Sequence, residues 1–160
     1  MTRLSIVHVL SSFGMGGQEC VALDLAKQQR AAGHSVLVVS LAEPPDGPMA
    51  ERFRAVDVRT ATIPKRGPSF DPTLSVRVAQ TVSKAGASLL HTHNPQALVY
   101  GAPAAALSGA RCVHTKHGVN PDSSRRMWLR RAASSLVDAY VAVTPTLARL
   151  ARTVTTNHPR

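Results

Sequence analysis

The sequence predicts an α/β fold in which helices cover both faces of a doubly wound, mostly parallel sheet. Apolar, β-branched segments alternate with helical patterns almost throughout the 160 residues, as expected for consecutive βαβ units with right-handed crossovers. A glycine-rich segment at residues 13–19 lies between the first apolar segment and the first helical pattern, where such sheets often bind ligands. The length suits one domain, which we place at residues 1–152, followed by a frayed tail at 153–160.

Six short apolar segments predict the strands, because each is bounded by glycine, proline or polar residues. The third of them is the weakest and ends at Pro64. The first is not a signal peptide, since Ser5 and His8 interrupt it and it lacks a small-residue cleavage site. The predicted strands are residues 4–10, 35–41, 58–63, 88–93, 111–117 and 139–143.

Helical patterns follow each of these strands, and glycines at Gly33, Gly86 and Gly109 end three of the helices. Asp71 caps the third helix, with a proline at its first position. The fourth helix is predicted to begin only after a loop that runs to about residue 100, because Pro103 inside a longer helix would remove a hydrogen bond. The predicted helices are residues 19–32, 49–55, 72–85, 101–108, 123–136 and 145–152.

Apolar residues at helical spacing predict which face of a helix is buried. The opposite side of the fifth helix carries Arg126, Arg130 and Arg131. Such a basic face is either simply solvated, or it contacts an anionic acceptor or membrane headgroups. The expected buried residues are Val21, Ala22, Leu25 and Ala26 in the first helix, Leu74, Val78, Val82 and Ala85 in the third, and Leu129, Ala132, Ala133 and Leu136 in the fifth.

The composition narrows the class of partner. The formal net charge is +10, which favours an anionic partner. Aromatic residues make up only 4% of the chain and no zinc-finger or RNA-binding signature is present, so no nucleic acid is expected. Cys20 and Cys112 form no disulfide framework or metal spacing and are expected to be core residues. We expect a cytoplasmic protein without a membrane span, with the inner face of the membrane as a candidate surface.

The glycine-rich segment predicts a strand-to-helix turn, either with ligand contact or as a tight turn without a ligand. Gly14, Gly16 and Gly17 permit positive φ and a close approach to backbone N–H groups at the helix N-terminus. The spacing begins like the dinucleotide fingerprint, but Glu19 occupies the position of its third glycine. Glu43 is the one candidate acidic residue after the second strand. A nicotinamide-binding oxidoreductase domain is therefore one alternative.

Histidines end two neighbouring strands of the predicted sheet. His93 and His117 are expected at the carboxyl edge near the glycine turn, where imidazole can bond to a sugar or phosphate oxygen. His91 and His114 lie within their strands and are expected to be hydrogen-bonded core residues. No carboxylate or cysteine joins these histidines at ligand spacing, so no metal site is predicted.

Five segments, taken in order, resemble family 4 (group 1) glycosyltransferases. Residues 8–19 resemble the opening of these enzymes, whose first loop ends Gly-Gly-x-Glu, and residues 32–36 resemble the entry to their second strand. Residues 90–101 resemble the fourth strand and the helix after it, and residues 113–118 the fifth strand. Residues 138–144 resemble the strand that usually ends Val-Ser, so the likeness covers about residues 4–152.

The resemblance implies one half of a GT-B fold, in which two Rossmann-like domains face a cleft. It also implies transfer of a sugar from a nucleotide-sugar donor to an acceptor with retention of configuration, without a required metal or other cofactor. His117 matches the histidine that contacts the transferred sugar and assists the reaction. The residues that the resemblance places near donor phosphate or substrate are Gly14, Gly16, Gly17, Glu19, His93, Asn94, Lys116 and Gly118.

The second domain of such enzymes, which holds the nucleotide and a paired-glutamate motif, has no counterpart in these 160 residues. The expected partners are therefore a C-terminal domain, a nucleotide-sugar and an acceptor. We expect little or no transferase activity from the 160 residues alone. Besides the oxidoreductase domain, a further alternative is a non-catalytic module that binds anions or another protein through an exposed face.

Overall fold

A computed structural model describes residues 2–45, 47–118 and 124–149, and at 124–126 it describes the backbone alone. Within this part of the chain, six parallel strands form one sheet with helices on both faces, as predicted. The strands are β1 (Ser5–Leu10), β2 (Ser35–Ser40), β3 (Arg59–Thr62), β4 (Leu89–Thr92), β5 (Arg111–Lys116) and β6 (Ala139–Ala142). The helices are α1 (Gly17–Ala31), α2 (Pro48–Ala55), α3 (Pro72–Lys84), α4 (Pro95–Ser108) and α5 (Ser124–Ser134).

The strand order is β3-β2-β1-β4-β5-β6, so the chain reverses its direction across the sheet between β3 and β4. In the register of the sheet, Val7 of β1 lies between Leu37 of β2 and Leu90 of β4. The carboxyl ends of β1 and β4 are therefore neighbours at the point of reversal. Doubly wound sheets bind their ligands at this point.

Two apolar clusters lie on opposite faces of the sheet, because successive side chains of a strand point to opposite faces. Val7 and Val9 of β1 pack with residues of α3, α4 and α5 on one face. Leu10 packs with residues of α1 and α2, including Phe53, on the other. His8 lies between Val7 and Val9 and is fully buried, so β1 places an imidazole inside the α1 face.

The predicted start of the fourth helix is wrong. Helix α4 begins at Pro95, not after residue 100, and contains Pro103. The Asn94 side chain caps the helix by accepting a hydrogen bond from the Ala97 N–H at 2.8 Å. Packing outweighs the hydrogen bond lost at Pro103, since α4 is buried along most of its length. A Cβ at Gly101 would lie 2.5 Å from Thr92 Cγ2, which shows how closely the helix approaches β4.

The predicted helix ends are confirmed at Gly33, Gly86 and Gly109, which all have positive φ. The predicted buried faces are right for α3 and only partly right for α1 and α5. In α1, Ala22 and Ala26 are buried, whereas Val21 is 43% exposed. In α5 the buried residue is Ala133, and Leu129 is half-buried. Ala132 and Leu136 are exposed, because Ala132 turns away from the core and Leu136 lies beyond the end of the helix.

Both cysteines are free. Cys112 is buried, and burial raises the pKa of its thiol to about 12, which is the behaviour of an inert core residue. Cys20 is half-buried at the start of α1. None of the described helices combines the length and the hydropathy that crossing a bilayer requires.

The predicted sixth helix begins as expected, with the Leu147 N–H donating to Thr144 Oγ1 at 3.2 Å. Its end at residues 150–152 and the tail at 153–160 lie outside the described residues.

Candidate functional site

A cavity of about 510 Å³ opens at the carboxyl edge of the sheet. The residues that the sequence predicts at this edge, Gly16, His93 and His117, all line it. The walls come from the start of α1, the ends of β4, β5 and β6, and parts of α4 and α5. They comprise Gly16, Gly17, Gln18, Glu19, Val21, His93, Asn94, Pro95, Leu98, His114, Lys116, His117, Gly118, Arg130, Ser134, Tyr140 and Val143.

The glycine turn presents the N-terminus of α1 to the cavity. Gly16 is the N-cap residue, and no side chain caps the helix. The first N–H groups of α1 are therefore available to an anion, which the helix dipole favours. The turn does not use the positive φ that glycine permits at Gly14, Gly16 and Gly17. At Gly16 the absence of a side chain is what matters, because a Cβ there would lie 2.5 Å from Glu19 Oε2. A Cβ at Gly17 would meet no described atom within 4 Å.

Glu19 places a carboxylate beside this N-terminus. Its side chain is 4% exposed, and Gln18 Nε2 donates to Glu19 Oε1 at 2.7 Å. The charge of Glu19 acts on His117, where it raises the pKa that burial has lowered. Gly14 does not line the cavity. Its N–H donates a hydrogen bond to Ser12 Oγ at 3.2 Å within the turn.

His93 and His117 form the centre of the cavity wall. Their rings lie 5.5 Å apart, and His93 Nδ1 is 3.2 Å from His117 Nε2. His93 is fully buried, and burial together with its histidine neighbours holds its pKa well below the usual value. Burial also lowers the pKa of the half-buried His117. Both rings are therefore neutral near physiological pH and can accept as well as donate hydrogen bonds.

His91 and His114 are buried and hydrogen-bonded, as predicted. His91 Nε2 lies 2.7 Å from Thr115 Oγ1, and His114 Nδ1 lies 2.8 Å from Thr92 Oγ1. Burial is the largest cause that lowers the pKa of each to about 3. His114 nevertheless lines the floor of the cavity beside Tyr140, with the two rings 4.9 Å apart.

The sequence-based prediction missed His8 as a member of this group. His8 is fully buried, with Nδ1 2.8 Å from His93 Nε2 and Nε2 2.7 Å from Gln29 Oε1. Burial lowers its pKa to about 4. His8 pairs with His91 in the register of β1 and β4. The available signal was the expected strand order, since β1 and β4 are neighbours in doubly wound sheets of order 3-2-1-4-5-6.

Three of these imidazoles have the proximity that a metal site needs. Ligand nitrogens of His8, His91 and His93 all lie within 4.8 Å of one another. The nitrogens of His8 and His93 that face each other share a hydrogen bond, however, and Gln29 occupies the other nitrogen of His8. A metal ion between these rings would have to replace the hydrogen bond that joins His8 to His93, so we interpret the group as a hydrogen-bonded cluster.

Two cations lie on the cavity, one predicted and one not. Lys116, at the end of β5, is half-buried, and burial and the charge of Arg130 lower its pKa. The basic face with Arg126, Arg130 and Arg131 was predicted to be either solvated or in contact with an anionic acceptor or a membrane. Arg130 lines the cavity instead, where its charge acts on Lys116 and Tyr140. Arg131 is exposed, whereas the side chain of Arg126 lies outside the described residues.

Asn94 brings an unused donor to the same wall. Its Oδ1 caps α4, while the buried Nδ2 has no hydrogen-bond partner among the described residues. A buried amide donor without a partner is unfavourable, so a ligand oxygen at this position would remove that penalty. Gly118 also lines the cavity, and a Cβ there would meet nothing within 4 Å.

The sequence profile described as Glycosyltransferase Family 4 matches residues 15–158. The chain belongs to this family. No curated protein matches the chain.

Several solved structures have the same fold as this chain. Anabaena Alr3699/HepE in complex with UDP-glucose is 21% identical, with a TM-score of 0.76 and coverage of 96% of this chain and 41% of that chain. A glycosyltransferase from Rickettsia africae ESF-5 is 18% identical, with a TM-score of 0.72 and coverage of 95% and 40%. Sucrose-phosphate synthase from Thermosynechococcus elongatus is 20% identical, with a TM-score of 0.69 and coverage of 96% and 46%. The chain therefore spans less than half of each of these proteins.

Several cavity residues of this Family 4 domain were not predicted from sequence. The α1 residues Gln18 and Val21 follow the glycine turn on the side that faces the cavity. Tyr140 pairs with His114 in the register of β5 and β6, and burial raises the pKa of its phenol. Pro95, Leu98, Ser134 and Val143 also line the cavity, and their side chains are mostly apolar.

The arrangement suits a ligand that carries both phosphate and hydroxyl groups. An uncapped helix N-terminus, Lys116 and Arg130 offer positive charge, and Asn94 Nδ2 offers a donor. Glu19 and the neutral His117 offer acceptors within the same cavity. Helix N-termini and cations bind phosphate, whereas carboxylate and imidazole acceptors bind sugar hydroxyls.

Proposed function

We propose that this chain is the acceptor-side domain of a retaining glycosyltransferase, and that its cavity holds the diphosphate and the transferred sugar of a nucleotide-sugar donor. The observation that carries the proposal is the convergence of the α1 N-terminus, Lys116 and Arg130 with His117 around one cavity. Membership of Glycosyltransferase Family 4 supports glycosyl transfer as the reaction. The complex of Anabaena HepE with UDP-glucose supports a nucleotide-sugar as the donor class.

In this reaction the bond between the anomeric carbon and a diphosphate oxygen breaks. A bond to the acceptor oxygen forms on the same face of the sugar, and the acceptor proton leaves with the nucleoside diphosphate. Negative charge develops on the departing diphosphate, and fixed donors in a site shielded from water stabilise such charge most strongly. The N–H groups that begin α1, together with Lys116 and Arg130, would supply these donors, without a metal ion or other cofactor.

His117 and Glu19 would address the sugar rather than the phosphate. His117 lines the same cavity as the α1 N-terminus, so a sugar attached to the bound diphosphate could reach it. Glu19 offers carboxylate oxygens and is nearly buried, so a sugar hydroxyl could hydrogen-bond to it together with Gln18. His93 is fully buried behind His117 and acts through it.

The proposal includes a second domain. The chain spans 40–50% of the solved structures that share its fold, and one open cavity cannot exclude water by itself. A second α/β domain that carries the nucleotide would close the other side, as lids and domains do in many transferases. We place the reaction in cytoplasmic carbohydrate biosynthesis.

The acceptor or a membrane surface would meet the outer side of α5. Arg131 is exposed there, and Trp128 beside it is 67% exposed. An exposed tryptophan among arginines is a combination that binds anionic interfaces. Co-sedimentation of the chain with vesicles of neutral and of anionic lipid tests this part, and equal binding to the two would contradict it.

Calorimetric titration of the 160-residue chain tests the ligand class. The ligands are inorganic pyrophosphate, UDP, GDP and NAD, and the variants are Lys116→Gln and, as a matched control, Lys84→Gln on the exposed side of α3. We expect pyrophosphate and a nucleoside diphosphate to bind, and Lys116→Gln to weaken binding about tenfold through loss of a charged hydrogen bond. Selective binding of NAD, or equal effects of the two substitutions, would contradict the proposal. Sugar transfer by these residues alone would contradict the need for a second domain.

A further inference from the structure

A row of hydrogen bonds joins α1 to the cavity through three imidazoles. Gln29 Oε1 lies 2.7 Å from His8 Nε2, and His8 Nδ1 lies 2.8 Å from His93 Nε2. His93 Nδ1 in turn lies 3.2 Å from His117 Nε2. Each ring therefore contacts the next through its opposite nitrogen, and the row ends at the cavity.

The glutamine gives this row a direction. An amide oxygen only accepts, so His8 Nε2 must carry the hydrogen and His8 Nδ1 must be the acceptor. His93 must then donate from Nε2 to His8 and accept at Nδ1. His117 consequently donates from Nε2 to His93, and its Nδ1 keeps a lone pair for a ligand in the cavity.

The surroundings of the row keep it uncharged. His8 and His93 are fully buried, and burial lowers the pKa of both. A proton added to His93 would set two N–H groups against each other at one of its hydrogen bonds, unless a neighbouring ring changed its tautomer. A neutral row with one tautomer is therefore the arrangement in which all of its bonds are made.

We propose that Gln29, His8 and His93 are positioning residues that hold His117 as the neutral Nε2–H tautomer, with Nδ1 presented as an acceptor to a hydroxyl of the bound sugar. The tautomer depends only on the hydrogen bonds of the described residues. The sugar hydroxyl as the group that is accepted rests on the proposed function. None of the three residues needs to touch the sugar, because each acts through the next ring.

The competing use of these imidazoles is a metal ion held by His8, His91 and His93. Such an ion needs the lone pairs of His8 and His93 to point at one centre, whereas the row assigns a lone pair to His8 and a hydrogen to His93 across the bond that joins them. The two arrangements therefore predict different protonation of His93 Nε2, and one measurement separates them.

The tautomers can be read by two-bond ¹⁵N–¹H correlation NMR on the full chain labelled at histidine. We expect the Nε2–H pattern at His8, His93 and His117, without any ligand present. A dominant Nδ1–H form or a charged ring at His117 would overturn the proposal. A change of the His8 and His93 signals on addition of stoichiometric Zn²⁺, reversed by chelator, would favour the metal site and overturn it as well.

Substitutions on α1 test whether the glutamine sets the tautomer at a distance. Gln29→Leu removes the acceptor that fixes the direction, and we expect the tautomer ratio at His117 to fall about two- to tenfold, the value of one hydrogen bond. Gln28→Leu is the matched control, because Gln28 is exposed on the same helix, and it should leave His117 unchanged. Gln29→Glu keeps an oxygen acceptor and should keep the Nε2–H form. If Gln29→Leu does not fold, the wild-type and Gln29→Glu spectra still decide.

A sugar ligand separates this proposal from the proposed function. UDP-glucose added to the wild-type chain should move the His117 Nδ1 resonance more than the His91 resonances. If the tautomers are as expected and UDP-glucose does not bind, the row stands and UDP-glucose is not a ligand of this cavity. If UDP-glucose binds while His117 is an Nδ1–H tautomer, the row is wrong and the donor class stands.

Discussion

The same substitution at adjacent glycines of the α1 N-terminus should have opposite effects. The Gly16 backbone is extended, with φ −160° and ψ 170°, so alanine fits its conformation. Its Cβ would nevertheless lie 2.5 Å from Glu19 Oε2, about 0.9 Å closer than the 3.4 Å at which ordinary contact begins. Glu19 is 4% exposed and hydrogen-bonded to Gln18, so its carboxylate must leave that position. At Gly17 a Cβ would meet nothing within 4 Å.

The expected magnitudes follow from these contacts. Gly16→Ala replaces a favourable N-cap by a poor one and disturbs a charged hydrogen bond, which together should lower the free energy of unfolding by about 1–2 kcal/mol. Because the charge of Glu19 raises the pKa of His117, moving that charge away should lower this pKa further. Gly17→Ala should leave stability unchanged or raise it by up to about 1 kcal/mol, as alanine is the better helix former.

For pyrophosphate binding we expect the opposite order, with Gly17→Ala the more harmful of the two substitutions. The methyl group of Gly17→Ala occupies the open side of the helix N-terminus, where the diphosphate would approach the N–H groups, so the affinity for pyrophosphate should fall. Urea denaturation of both variants, calorimetry with pyrophosphate and an NMR pH titration of His117 provide the measurements. Equal destabilisation by the two substitutions would refute the difference between the two Cβ positions. Wild-type pyrophosphate affinity in Gly17→Ala would refute the placement of the anion at this helix end.

Three further outcomes concern the fold. Gly101→Ala should lower the free energy of unfolding by about 1–3 kcal/mol, because its Cβ would lie 2.5 Å from a β4 side chain; a stable variant in urea would show that α4 can move away from the sheet. Burial lowers the pKa of the interior His8 from 6.5 to about 4 and that of His91 and His114 to about 3. Since the unfolded chain binds more protons, urea denaturation should show stability falling as the pH drops below 6.5, by at most about 1.4 kcal/mol per pH unit for each histidine. Hydrogen bonds from the Thr73 side chain and the Arg66 backbone, and the Arg77 charge, lower the pKa of Asp71 from 3.8 to about 2. The contribution of Asp71 to stability is therefore present above pH 3.8 and is lost as the pH falls to about 2. Asp71→Asn should lack that part of the acid transition in urea denaturation.

The fold could be predicted because its signals are local. Alternating apolar segments and glycines after helices fix the order of strands and helices, and Gly33 and Gly109 end their helices with positive φ as expected. Helix α4 was mispredicted because local and tertiary effects oppose each other there. Pro103 weakens the isolated helix, but burial of α4 between the sheet and its neighbours outweighs it.

Of the histidines at the site, only those that directly follow a strand could be assigned to the cavity from the sequence. His93 and His117 follow β4 and β5, so their place at the carboxyl edge could be read from the sequence. His8 and Tyr140 required the register between neighbouring strands, which pairs them with His91 and His114. Arg130 required the placement of α5 that brings it near Lys116 and Tyr140, and helical periodicity does not contain that placement.

The row of histidines connects the pH dependence of stability with the tautomer of His117 in the cavity. Beneath α1 the core consists of the apolar cluster that contains Leu10 and, next to it, of buried imidazoles such as that of His8. These imidazoles are neutral at physiological pH because burial lowers their pKa. An apolar ring in His8→Phe would fill much of the same space and would no longer take up a proton on unfolding. It would also leave His93 Nε2 without its acceptor and His117 without a fixed direction of hydrogen bonding. We therefore expect His8→Phe to flatten the pH dependence of stability and to broaden the tautomer distribution at His117 together, because both properties depend on the same buried nitrogen atoms.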